Sequence, residues 1–116
     1  MKKLLLGLVF LCFAGIGSAN AAFTTTWCTH PLGYQQITSL SSATGLTSVP
    51  AGTAYIVVTV ETAGIRWRDD GTAPTAAVGM PVAAGASFSY TANFAKIQFI
   101  QQTAGAIIDI YTCGVV

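Results

Sequence analysis

The chain has 116 residues, 53% hydrophobic and only 8% charged, with a formal charge of +1. Ordinary soluble domains carry roughly 25% charged residues, and five scattered Lys/Arg residues make no cluster able to release phosphate counterions. The composition argues against nucleic acid as a partner and against a basic membrane-surface patch.

Lys2-Lys3 followed by the apolar run Leu4 to Ile16 and by Ser18-Ala19-Asn20-Ala21 has the form of a secretory signal peptide cut after Ala21. The run is too short to span a bilayer, so no stable membrane span is expected after cleavage. Cys12 lies within the run behind Val9-Phe10-Leu11, which lacks the small residues that precede a lipidated cysteine. The expected division is a signal peptide over residues 1–21 and one domain over residues 22–116. The mature chain keeps Arg66, Arg68 and Lys96 against Glu61, Asp69, Asp70 and Asp109, a formal charge of −1. Its size allows burial of about 60–68% of the unfolded surface, enough for one modest core.

Cys28 and Cys113 stand near the two ends of the mature chain, and export implies an oxidising compartment. A disulfide between them is expected, with up to ~4–5 kcal/mol of stabilisation on loop-entropy grounds.

Residues 22–34 read as an extended lead-in ending in a turn, and residues 35–40 as a short strand. Residues 41–52, broken by Gly45, Pro50 and Gly52, form a hairpin or loop. Residues 54–61 are the clearest strand, dense in β-branched residues and apolar on both faces, which predicts a central position. After a turn at residues 62–64, Ile65 and Trp67 alternate with Arg66 and Arg68. Residues 69–77 form a loop built on Asp70-Gly71, and residues 78–84 a weak strand that Pro81 confines to an edge. Strands at residues 86–91, 96–101 and 106–112 complete the pattern, with Phe88 and Tyr90, Ile97 and Phe99, and Ile108 and Ile110 each sharing a face. Six to eight short strands without a helical period predict an all-β sandwich or jelly-roll-like barrel. Strand edges rich in small and apolar residues favour contacts with protein partners or with further copies of the chain.

The chemistry available is thin. His30 is the only histidine, and Cys28 two residues away forms a nominal thiol–imidazole pair or half a metal site, short of the ligands zinc requires. Asp69-Asp70-Gly71 lacks the further oxygen ligands of a calcium loop. Nothing fixes a separation between any two of Glu61, Asp69, Asp70 and Asp109, as paired acid/base catalysis requires. The chain contains neither a glycine-rich phosphate loop nor a nucleophile elbow. The expectation is a non-enzymatic protein without catalytic, metal or cofactor sites. Arg66, Arg68, Asp69 and Asp70 then form a candidate contact surface, the arginines pairing with Asp69, Asp70 or Glu61. Aromatics on the Arg66/Arg68 face define an alternative function as a periplasmic or extracellular glycan-binding module; most of Trp67, Tyr55, Phe88, Tyr90, Phe94, Phe99 and Tyr111 fit a core.

The run Ile65-Arg66-Trp67-Arg68-Asp69-Asp70-Gly71-Thr72-Ala73-Pro74-Thr75, set within Val60 to Pro81, resembles a family of small tailed-phage proteins described as virion structural proteins. Residues 84–88 and 97–106 carry supporting matches, and the resemblance covers about residues 53–111. It implies a compact β-domain used in assembly or surface contacts, with no catalytic residues to transfer. The ends depart from that pattern, because tailed-phage particles assemble in the cytoplasm whereas a signal peptide and a disulfide belong to export. A phage-encoded envelope protein, an uncleaved apolar segment serving assembly, and a host gene carrying the module each accommodate both features. The expected localisation is periplasmic or extracellular, with the virion as the alternative.

Overall fold

A computed structural model describes residues 27–115, and every regular element within them is a strand. These are β1 (Pro31–Ile37), β2 (Thr44–Gly45), β3 (Tyr55–Glu61), β4 (Ile65–Arg68), β5 (Met80–Val82), β6 (Ser87–Tyr90), β7 (Gln98–Gln101) and β8 (Ile107–Cys113). The expected signal peptide, residues 1–21, lies outside the described residues.

The strands form two four-stranded antiparallel sheets, in the orders β1-β8-β3-β6 and β2-β7-β4-β5. First pairs with last, second with seventh, third with sixth and fourth with fifth. The chain is thus one long hairpin folded over on itself, the strand order of an eight-stranded jelly roll. Among the described residues the β4–β5 connection is the only one that stays within a sheet; every other connection crosses between the two. The stretch from Ile65 to Thr75 is therefore the tip of that hairpin.

Side-chain alternation supplies the core. Ile56, Val58 and Val60 of β3 and Ile108 and Ile110 of β8 are completely buried, and they meet Ile65 of β4 and Phe99 of β7 from the other sheet. Each such side chain stabilises the fold by about 1.5–3 kcal/mol relative to exposure. β3 is central, between β8 and β6, and Val57 on its outer face is also buried. One end of the sandwich is closed by aromatic rings. Trp67 stacks on Phe88 at 5.8 Å and meets Tyr90 edge-on at 5.6 Å, and Tyr90 meets Phe94 at 6.0 Å.

The early part of the chain differs from expectation. β1 begins at Pro31 and runs through Tyr34, where a turn was expected, because residues 31–37 lie along β8 with one irregularity near Pro31/Gly33. The segment after it contributes only the two residues of β2, paired with β7. Gln35 holds this region to β1: its Nε2 donates to the Ser48 carbonyl at 2.9 Å, and its Oε1 accepts from the Thr47 amide at 2.6 Å. The expected disulfide joins Cys28 to Cys113, with Cα atoms 5.6 Å apart.

Candidate functional site

The four residues of the candidate contact surface all lie at the β4–β5 tip, in two different situations. Among the described residues Arg66 forms no ion pair. Its Nε donates to the Ala76 carbonyl at 3.0 Å and a terminal nitrogen donates to the Gly79 carbonyl at 2.9 Å, so the guanidinium spans the loop. Asp69 turns inward, where its Oδ2 accepts from the Tyr90 hydroxyl at 2.5 Å, and the same hydroxyl accepts from the Asn93 amide at 2.6 Å. Burial, followed by the bond to Asp69, raises the Tyr90 pKa. Both residues serve as struts.

Arg68 and Asp70 face solvent as a fork-to-fork pair, with nitrogen–oxygen distances of 3.0 and 2.5 Å. The hydrogen bond from Arg68 holds the Asp70 carboxyl below its usual range, and the bond to Asp70 raises the Arg68 pKa. An exposed pair of this kind contributes little stability; its effect is to fix the shape of the tip. Of the pairings expected for the arginines, this alone forms, since Glu61 belongs to the opposite sheet.

The loop beyond is stiff. The Thr75 and Val78 backbones bond reciprocally at 2.9 and 3.2 Å, and the Thr75 hydroxyl accepts from the Ala77 and Val78 amides. Pro74 is buried beneath it. Gly79 has φ +142, and a Cβ there would stand 3.1 Å from Arg66 Cβ and from the Trp67 carbonyl oxygen. Strands and loop together enclose an open cleft of about 510 Å³, whose walls include Trp67, the Arg68–Asp70 pair, Val78 and Met80. Val78 is 52% exposed and Met80 57%. β5, which carries Met80, is an edge strand as Pro81 required.

Cys28 is committed to the disulfide, so it is not a thiol beside His30. Among the described residues no three His, Cys, Asp or Glu side chains converge as metal ligands.

A second cluster, which sequence spacing alone does not bring together, lies elsewhere. On the outer face of the other sheet, Tyr34 of β1 pairs in register with Tyr111 of β8, their rings 5.3 Å apart. The next row places Gln36 opposite Asp109. Asp109 Oδ1 accepts from the Tyr34 hydroxyl at 2.5 Å and from Gln36 Nε2 at 2.8 Å. The bond to Asp109, with lesser help from desolvation, pushes the Tyr34 pKa up to about 12. Burial pushes Asp109 up, but hydrogen bonds from Glu61, Tyr34 and Gln36 outweigh it and hold the carboxyl low. The bond to Asp109 also raises the Glu61 pKa. The alternation of Tyr34 and Gln36 against Gly33, Gln35 and Ile37 was the signal available for this row.

No protein-family model, curated protein or solved structure matches the chain.

Proposed function

We propose that the protein is a non-enzymatic, exported jelly-roll domain that acts as a structural or assembly module akin to the tailed-phage proteins its Ile65–Thr75 run resembles. It docks on a protein partner through the β4–β5 tip and needs no cofactor. The observation that carries the reading is the cleft at that tip: two accessible apolar side chains, Val78 and Met80, stand over a backbone held by Arg66 and beside the locked Arg68–Asp70 pair. Accessible apolar groups on a stiff scaffold lose little entropy on docking. The basic n-region and apolar run before Ala21, together with the disulfide, support export.

The test is peptide mass spectrometry of purified particles alongside periplasmic and secreted fractions. Peptides from residues 54–112 are expected in the particles, and Met80→Glu should remove them while leaving the soluble protein folded. Recovery only from the periplasm, as a chain beginning at Ala22, would overturn the particle role.

A further inference from the structure

We propose that the outer face of the β1-β8-β3-β6 sheet is a binding site for a neutral oligosaccharide, with Tyr34 and Tyr111 as its stacking surface. This site is separate from the β4–β5 tip and independent of the role proposed there.

Three observations converge on it. The first is aromatic exposure. Trp27, Tyr34 and Tyr111 are the exposed aromatic side chains among the large hydrophobics of the described residues, and two of the three form one ring pair on this face. Trp67, on the Arg66/Arg68 sheet, instead stacks inward on Phe88. The apolar face of a pyranose ring packs on such rings.

The second is the hydrogen-bonding balance of the neighbouring row. The Tyr34 hydroxyl and the Gln36 amide both spend a donor on Asp109. What remains is rich in acceptors: the Gln36 carbonyl oxygen, the Glu61 and Asp109 oxygens, and the paired Thr59 and Ser87 hydroxyls, 2.9 Å apart. A ligand that complements this row must bring many donors, as a polyhydroxylated sugar does.

The third is spacing and charge. Successive outward rows lie about 7 Å apart along a strand, so a sugar ring seated on Tyr111 places its hydroxyls over the Asp109 and Gln36 row. Glu61 and Asp109 repel anionic glycans, and Arg66, Arg68 and Lys96 all belong to the opposite sheet or its connections. The acceptors are spread across four strands instead of converging on one point, which suits a chain of hydroxyls better than a single ammonium group. Neutral sugars fit both sets of groups.

The experiment titrates the isotope-labelled, oxidised protein with cellohexaose, maltohexaose and mannohexaose while following backbone amide signals. At least one of the three should shift the Tyr34, Gln36, Asp109 and Tyr111 signals saturably. Tyr111→Ala should then weaken binding by about tenfold, the ratio that loss of an aromatic contact typically produces, whereas Met80→Glu should leave it unchanged. Should Tyr111→Ala fail to fold, Gln36→Ala, at an exposed position on the edge strand, takes its place and must also weaken binding. No shift with any of the three sugars overturns the proposal, as do shifts that follow Val78 and Met80 or persist in the variant. Capture of a lysine-rich peptide on these residues, with no sugar bound, would make the face a protein-docking surface and equally overturn it.

Discussion

At the scale of single residues, Glu61 and Asp109 make the most informative pair, because their pKa values move in opposite directions. The depressed Asp109 contributes stability above the ordinary aspartate pKa, and that contribution is lost as pH falls through its folded value. Glu61, raised, contributes fully below the ordinary glutamate pKa and loses its contribution as pH rises through its folded value. The pair therefore stabilises most in the acid interval between the two folded values. Glu61→Gln presents a neutral donor to Asp109 at every pH. Urea denaturation from acid to neutral pH should show the wild type losing stability on the rising side of the interval, with a flatter profile in Glu61→Gln. Parallel profiles would show that the two carboxyls do not influence each other.

At the scale of elements, the β4–β5 tip is stiff because its backbone leaves no room for a side chain at Gly79. Gly79→Ala should destabilise the domain by about 1–3 kcal/mol, since it combines an unfavourable φ with contacts to Arg66 and the Trp67 carbonyl. Substitution at Gly71, where a Cβ would meet nothing within 4 Å, carries the conformational penalty without the clash. Thermal unfolding of the two alanine variants measures the difference, and equal losses would show that close packing at the tip is unimportant. Much of this element was legible in the sequence. The alternation of Ile65 and Trp67 with Arg66 and Arg68, the Asp70-Gly71 turn and the edge placement imposed by Pro81 all follow from local chemistry. The role of Arg66 was not legible, because its acceptors are the backbone carbonyls of Ala76 and Gly79, which sequence spacing does not bring into view. The start of β1 is not legible in the sequence for a related reason. Pro31 and Gly33 look like turn residues locally, but pairing with the distant β8, Pro31 opposite Cys113 and Gly33 opposite Thr112, holds them extended.

At the scale of the whole molecule, the jelly-roll order follows from long-range pairings that no local pattern encodes. Six to eight strands could be counted from alternation and turns; which strand adjoins which depends on the apolar faces of β3 and β8 being covered together. The same topology separates the two surfaces considered above. The tip, with Val78 and Met80, is built on one sheet, and Tyr34 and Tyr111 stand on the outer face of the other. A module with this layout can hold a partner by one surface and leave the second free, which is why Met80→Glu and Tyr111→Ala are expected to have non-overlapping effects.

The bond between Cys28 and Cys113 also sets how the domain carries mechanical load. Tension applied through the chain on either side reaches the sulfur–sulfur link before it reaches any strand, so force bypasses both sheets. The domain should behave as an inextensible link while oxidised. In single-molecule pulling, oxidised protein is expected to show no unfolding step from the residues between the cysteines. After reduction, the 85-residue separation should release roughly 290 Å of contour length as the strands peel apart. A full-length step from oxidised protein would show that the bond does not form.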